Sequence, residues 1–229
     1  MFKKAFSYFS MFEISLWSCS ILLITISFIA FDKENYMMLT ASVIGATYLI
    51  LNAKGNPFGQ VLLIVFSILY GMISFRFSYY GEMITYLGMS TPMAVFSLIA
   101  WLKNPYNGNR AEVKVNYLMK REIIFMLALT AGMTFIFYFI LKSFHTANLI
   151  PSTASVTTSF LAVYLTFRRS RCFALAYAAN DIILIILWIL ATFTDITYMS
   201  VTICFFMFLV NDIYCYINWT KMYKRQQAK

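Results

Sequence analysis

The sequence has too little charge to cover the surface of a soluble protein of its size. Charged residues make up 12% of the 229 residues, whereas soluble domains contain about 25%. Hydrophobic residues make up 61%, and they are gathered in long runs. This composition excludes an ordinary soluble domain and predicts a helical protein with several membrane-spanning segments.

Residues suited to catalysis or metal binding are also scarce. His145 is the one histidine in the sequence, and the four cysteines lie in apolar runs without metal-ligand spacing. Paired carboxylates, a Ser-His-Asp set and a phosphate-binding glycine loop are absent at workable spacing. We therefore expect no enzyme, no metal site and no cofactor.

Eight hydrophobic runs make up most of the sequence. Each has about 16 to 22 residues, which is enough to cross a hydrocarbon core of ~30 Å as a helix. A short amphipathic segment, Met1–Glu13, precedes them and is expected to lie at the membrane surface. The runs are Ile14–Phe31, Met37–Asn52, Phe58–Phe75, Gly81–Leu102, Ile123–Leu141, Ile150–Phe167, Cys172–Phe193 and Tyr198–Ile217.

The positions of lysine and arginine predict the orientation of these helices. With eight spans, Lys33, Arg76 and Lys142 fall on one side and the other 15 of the 18 cations fall on the opposite side. Cytosolic loops are enriched in lysine and arginine. Both termini are thus predicted to be cytosolic, in a multi-pass protein of the cell membrane. Since the cations flank apolar runs, the net charge of +9 does not indicate a nucleic-acid partner.

A repeated tetrapeptide suggests internal symmetry. Thr40–Val43 and Thr153–Val156 both read TASV, and each opens a group of three runs that ends near a tryptophan, Trp101 or Trp219. Two parallel three-helix repeats joined by one linker helix are predicted, with an additional helix at the N-terminus. The predicted divisions are 1–36 (N-terminal segment and extra helix), 37–102 (first bundle), 103–149 (loop and linker helix), 150–219 (second bundle) and 220–229 (basic tail).

The seventh run carries the principal candidates for a binding site. Tyr177, Asn180, Asp181, Leu184 and Trp188 share one helical face. Aromatic rings, an amide and a carboxylate suit a nucleoside-like solute, because rings stack on the base and the carboxylate accepts from ribose hydroxyls. A carboxylate in the bilayer is costly unless it borders a cavity or a partner. The alternative interpretation is a hydrogen bond between helices that serves assembly.

Other polar and aromatic residues inside the runs are weaker candidates for substrate contacts. Serine and threonine in membrane helices often bond their own backbone, and aromatic rings often serve packing alone. An Asn-Asp pair near the cytosolic side of the eighth run could equally tie that helix to the loops. These further candidates are Thr157, Thr158, Asn211, Asp212, Asn56, Gln60 and Tyr70.

Several short motifs together carry a resemblance to a known family. They are Asn56–Gln60, Tyr79–Glu82, the helix ending at Trp101, Thr157–Ser159, Asn180 and Asn218-Trp219. With these motifs the chain resembles the PnuC family of transporters for nicotinamide riboside and related vitamins. The resemblance implies a SWEET-like fold of three helices, a linker helix and three more. It also implies facilitated diffusion through alternating access, trapping of the solute by phosphorylation in the cytosol, and a homotrimer.

The sequence departs from the family at the site. Phe173 and Ala176 stand where members have tryptophan, Val163 stands for a glutamine, and Asp181 is added beside Asn180. Nicotinamide riboside, a deoxynucleoside and thiamine therefore all stay open as substrates. A proton-coupled nucleoside transporter is a further alternative. A membrane interaction protein that docks partners on Lys103–Glu122 is the remaining one.

Overall fold

Eight long helices form the described part of the chain, which is residues 8–76, 80–146 and 148–228 of a computed structural model. Each is long and apolar enough to cross a membrane, which confirms the eight predicted spans to within a few residues at most ends. The helices are α1 (Met11–Phe31), α2 (Tyr36–Ala53), α3 (Phe58–Arg76), α4 (Tyr80–Leu102), α5 (Lys120–Ser143), α6 (Leu149–Phe167), α7 (Phe173–Thr192) and α8 (Met199–Gln227).

Two segments outside the predicted spans are more ordered than expected. Helix α8 continues to Gln227, so most of the predicted basic tail is helical. The predicted loop after α4 contains a hairpin of two short antiparallel strands, β1 (Pro105–Tyr106) and β2 (Asn109–Val113). Of the predicted surface segment Met1–Glu13, residues 1–7 lie outside the described part. Helix α1 already begins at Met11, with Ser10 as its N-cap.

Helix α4 changes its winding within the membrane. Its first turn, Tyr80–Ile84, is α-helical, Thr85–Ser90 is π-helical, and Thr91–Leu102 is α-helical again. The hydroxyl group of Thr91 donates to the Tyr86 carbonyl at 2.9 Å, which satisfies one acceptor in the wider turn. Such π-helical turns are often found at functional sites.

The helices pack as two groups of three. Helices α2, α3 and α4 form the first bundle, and α6, α7 and α8 form the second. The bundles meet where α8 packs on α2 and where α4 packs on α6. Helix α1 covers the junction of α8 with α2, and α5 packs on α6.

The two bundles are tied together by matching tryptophan contacts. Trp101, at the end of α4, donates from its indole nitrogen to the Thr166 carbonyl of α6 at 2.9 Å. Trp219, near the end of α8, donates to the Asn52 carbonyl of α2 at 2.7 Å. In both cases the third helix of one bundle bonds the last turn of the first helix of the other. The contacts agree with the predicted parallel repeat, which stays a prediction.

The segment between α4 and α5 is bound to both bundles. The Val113 amide donates to the Gly55 carbonyl at 2.9 Å, and the Asn116 amide donates to the Arg169 carbonyl at 3.0 Å. Val115 donates to the side chain of Gln226 in α8 at 2.8 Å. The predicted docking loop is therefore an ordered segment packed against the helix ends.

We call this side of the protein the basic end, because it holds most of the lysine and arginine residues. The loops between α1 and α2, between α5 and α6, and between α7 and α8 lie at the other side, which we call the opposite end. Cavities there bring together residues of these loops, including Asp32, Thr146 and Thr194.

Candidate functional site

Asn180, near the middle of α7, is held by a group of hydroxyls. Its Oδ1 atom accepts hydrogen bonds from Ser155 at 3.1 Å, Thr158 at 2.9 Å and Ser159 at 3.0 Å, all on α6. These three residues follow a helical spacing that places them on one face of α6. Because Oδ1 is fixed toward α6, the two N–H donors of the amide point away from these hydroxyls and are oriented to meet an acceptor.

A cavity at the opposite end leads toward Asn180. Its volume is about 330 Å³, which lies in the lower part of the range found for pockets that bind small molecules. We call it the vestibule. It is lined by residues of α4, α6, α7 and the loop between α5 and α6: Tyr80, Gly81, Glu82, Phe144, His145, Thr146, Asn148, Ser152, Leu187, Trp188, Leu190, Ala191 and Thr194.

A narrow space, which we call the throat, continues from the vestibule. The two share Glu82, Thr146 and Ser152 among their lining residues, and the throat also touches Ser155 and Ser159 beside Asn180. Its volume is about 20 Å³, which is room for one water molecule. In this conformation a solute can occupy the vestibule but cannot reach Asn180.

Between Asn180 and the basic end, the path is closed by aromatic side chains. The rings of Trp101, Trp219 and Phe173 pack together, and Trp219 lies with its ring centroid 4.8 Å from that of Phe173. All three side chains are buried. The path from the vestibule is thus blocked both at the throat and at these rings.

Asp181 has a different neighbour from Asn180, although the two are adjacent in sequence. Its carboxyl group lies within hydrogen-bonding reach of the Asp212 carboxyl on α8, and both side chains are buried. One oxygen of each, Asp181 Oδ2 and Asp212 Oδ1, has no hydrogen-bond partner. Consecutive helical residues point about 100° apart, which explains why Asn180 faces α6 while Asp181 faces α8. Contact of either aspartate with substrate stays a prediction.

The predicted aromatic residues lie along the same path. Trp188 forms part of the vestibule wall and interacts with Tyr70, which packs on Tyr86 with ring centroids 4.5 Å apart. Tyr177 lies one turn from Asn180 toward the basic end and contacts the Phe173 ring. The structure therefore brings Trp188 to the vestibule, leaves Tyr70 buried in contact with Trp188, and places Tyr177 on the closed side.

Four predicted residues have structural contacts away from the vestibule. Asn56 caps α3 by accepting from the Phe58 amide at 2.9 Å, and Gln60 donates to the Asn52 side chain at 2.9 Å. Asn211 donates to Ser20 of α1 at 2.9 Å. The Thr157 hydroxyl lies 2.8 Å from that of Thr134 on α5. Substrate contact by these four residues stays a prediction.

Glu82 and Ser155 lie near the path but were not predicted as site residues, and Ser159 was named only together with Thr157 and Thr158. Glu82 lines both the vestibule and the throat, and Ser155 and Ser159 bond Asn180. The helical spacing of Ser155, Thr158 and Ser159 was a readable signal for a polar face on α6. Glu82 was named only within the motif Tyr79–Glu82, and its position alone did not indicate the site, since a carboxylate in the first turn of a helix is also the usual partner of the helix dipole.

The sequence of this chain matches a known protein family. A family model described as nicotinamide mononucleotide transporter matches residues 35–221, which include both bundles and the linker helix. The chain belongs to the nicotinamide mononucleotide transporter family.

In the described residues, no group of three histidine, cysteine, aspartate or glutamate side chains is placed to hold a metal ion.

Relatives within the nicotinamide mononucleotide transporter family match nearly the whole chain. The nicotinamide riboside transporter PnuC of Neisseria mucosa is 27% identical over 99% of this chain and 88% of its own length. The nicotinamide riboside transporter PnuC of Haemophilus influenzae is 22% identical over 84% of this chain and 82% of its own. A crystal structure of the vitamin B3 transporter PnuC superposes with a TM-score of 0.83 at 25% identity, over 95% of this chain and 94% of that one.

Proposed function

We propose that this chain is a facilitative transporter that takes up nicotinamide riboside. The observation that carries the proposal is the vestibule that leads to Asn180, whose amide is fixed by three hydroxyls of α6. An amide held in one orientation offers donors in a defined direction, which suits a polar solute with a defined set of acceptors. The choice of solute follows the PnuC proteins of Neisseria mucosa and Haemophilus influenzae, which are nicotinamide riboside transporters.

The proposed mechanism is alternating access. The first and second bundles rotate against each other around the level of Asn180. In one state the throat is open and the tryptophan contacts are closed. In the other state the throat is closed and the tryptophan contacts are open. Tyr177 and Trp188 lie on α7 on either side of Asn180, and each is in place to stack on the nicotinamide ring as it passes. No residue in this path takes a catalytic role in the proposal, and the trapping step belongs to a separate cytosolic enzyme.

Binding to the purified protein tests this function. Isothermal titration of wild-type protein with nicotinamide riboside should give saturable binding, and Asn180→Ala should weaken it at least about tenfold, because a buried hydrogen-bonding group is lost. Asn104→Ala is the matched control, since the Asn104 side chain donates to the Ala100 carbonyl at the basic end, away from the vestibule. Unchanged affinity in Asn180→Ala would refute the assignment of the site. Absence of saturable uptake into proteoliposomes would refute transport.

The orientation is part of the proposal. The basic end, with both termini, faces the cytosol, as the distribution of lysine and arginine favours. The vestibule then opens to the outside, which suits uptake. In protein whose four own cysteines are replaced by serine or alanine, a cysteine placed at Ala228 should react with a membrane-impermeant maleimide only after the cells are opened. Reaction in intact cells would reverse the orientation.

A homotrimer is also proposed, following the resemblance to the PnuC family. Helix α5 is in place for such contacts, because it packs mainly on α6 and presents large apolar side chains outward, including Phe135 and Phe139. Native mass spectrometry from lipid nanodiscs should give three copies. A mass of one copy under those conditions would exclude the trimer.

The pair of buried carboxyl groups favours a second candidate, proton-coupled transport. Asp181 and Asp212 meet inside the membrane, and in the described residues neither forms a salt bridge with a lysine or arginine. Buried carboxyl groups in membrane helices are typical of proton relays. Counterflow in proteoliposomes separates the candidates, because exchange that is the same with and without a pH gradient excludes coupling.

A further inference from the structure

Glu82 is the single carboxylate that faces the proposed path before Asn180. Among the described residues that line the vestibule and the throat, Glu82 is the one acid, and lysine and arginine are absent. His145 is the other ionisable side chain besides the tyrosines. The electrostatic character of the vestibule therefore depends on Glu82.

The Glu82 carboxyl group lacks a cationic partner within the described residues. The described salt bridges do not include it, and its Oε2 atom is shielded from solvent without a hydrogen-bond partner. The side chains of Tyr70 and Ser74 interact with the group. Hydroxyl groups offset only part of the cost of shielding a carboxylate that has no cationic partner, and a cation placed beside it stabilises it further.

Aromatic rings near Glu82 add to this preference. The vestibule is lined by the rings of Tyr80 and Trp188, and the throat by the ring of Tyr86. The faces of such rings carry negative potential and attract cations. A flat cationic ring in the vestibule is thus stabilised both by the carboxylate and by the aromatic faces.

We propose that Glu82 is the specificity-determining residue that selects substrates with a positively charged ring. This inference rests on the proposed function, because the nicotinamide ring of nicotinamide riboside carries a permanent positive charge at its glycosylated nitrogen. Purine and pyrimidine nucleosides lack that charge at neutral pH. The thiazolium ring of thiamine carries it. The residue thus separates cationic vitamin precursors from deoxynucleosides.

A purely structural role for Glu82 is the competing explanation. Glu82 lies in the first turn of α4, where a carboxylate commonly stabilises the helix start. Loss of such a role lowers the affinity for every substrate alike and lowers the thermal stability. Charge selection instead changes the preference between two ligands of the same shape. The experiment must therefore compare ligands that differ in charge.

Nicotinamide riboside and its dihydro form make such a pair, since reduction of the ring removes the positive charge and leaves nearly the same shape. Wild-type protein should bind the cationic form more tightly in isothermal titration. Glu82→Gln should weaken binding of the cation at least about tenfold, which is the scale of one charged contact. It should change the affinity for the dihydro form less than about threefold. Glu82→Asp, which keeps the charge, should keep the preference.

Glu34→Gln is the matched control. Glu34 is an exposed carboxylate at the opposite end that lines a different cavity, so its neutralisation should leave the preference unchanged. Equal weakening of both ligands by Glu82→Gln, or no weakening, overturns the inference. If wild-type protein binds neither form, the proposed function fails. The same variants are then compared with thiamine and thymidine, and unchanged selectivity in Glu82→Gln overturns the inference there.

Discussion

The indole rings of Trp101 and Trp219 meet at the basic end with their centroids 5.4 Å apart. Each ring comes from the third helix of its own bundle, and each donates to a backbone carbonyl of the other bundle. The two bundles therefore hold each other closed at this end through a pair of equivalent hydrogen bonds. Alternating access requires that these contacts break when the basic end opens.

Trp219→Phe should make the basic end open more often. Phenylalanine keeps most of the ring packing but removes one of the donors to the Asn52 carbonyl, which keeps the Gly55 amide, at a cost of about 1 kcal/mol. Cys215 is fully buried in the same cluster and reports opening. In protein whose other three cysteines are replaced by serine or alanine, Cys215 should react faster with a maleimide in Trp219→Phe than in wild type.

Trp17→Phe provides the comparison for this experiment. Trp17 of α1 donates to the Thr47 hydroxyl at 3.1 Å, so this change removes the same kind of bond away from the Trp101 and Trp219 rings. Labelling of Cys215 should stay at the wild-type rate. Equal acceleration in both variants would mean that general loosening, and not opening of the basic end, exposes the thiol.

Gly55→Ala should lower the thermal stability. Gly55 has a φ of +67°, and an added Cβ would lie 2.7 Å from the Met222 Cε atom. The left-handed conformation costs a residue with a side chain about 1 to 2 kcal/mol, and the Met222 methyl group must move to make room for the added Cβ. A shift of roughly 2 to 4 °C in Tm per kcal/mol is expected in a thermal melt. Gly132→Ala, which meets no atom within 4 Å, should be neutral or stabilising; a similar loss in both would contradict this account.

Glu13→Gln should loosen α1 from the second bundle. The Glu13 side chain is buried and accepts from the Tyr214 hydroxyl at 2.8 Å and from the Ser10 amide at 2.7 Å, and it pairs with Lys54 at 3.4 Å. Loss of its charge should cost about 1 to 3 kcal/mol in a thermal melt. Lys54→Gln should cost less, since Glu13 then keeps two of its three contacts. The reverse order would show that the ion pair is the main tie.

Asp212→Asn should be tolerated better than Asp212→Ala. An asparagine keeps a hydrogen bond to Asp181 and removes the repulsion between neighbouring carboxylates, so Tm should equal or exceed that of wild type. Alanine leaves the buried Asp181 carboxyl without its partner and should lower the stability by about 1 to 3 kcal/mol. Thermal melts in the same detergent decide the order. Equal losses in the two variants would show that Asp181 does not depend on this contact.

Hydropathy predicted the eight helices because each span must satisfy its own backbone inside the membrane. The predicted runs and the observed helices agree at Phe31, Phe58, Leu102 and Phe167. The prediction stopped too early in α8, because the polar residues after Ile217 reduce hydropathy without ending the helix. The sequence also did not show that the loop after α4 is bound to both bundles. Its hydrogen bonds to Gly55 and Arg169 join residues far apart in the chain, and a local pattern does not reveal such contacts.

The sequence by itself determined the membrane class and the number of spans, and it named Asn180 as a candidate site residue, because hydropathy and family motifs are local in the chain. Which polar residues meet was decided only by the tertiary structure. Asn180 and Asp181 are neighbours in sequence, yet one bonds hydroxyls of α6 and the other meets Asp212 of α8. Glu82 reaches the path to Asn180 because the vestibule forms between α4, α6 and α7. The physical reason is that helix rotation and packing against neighbours set the direction of each side chain.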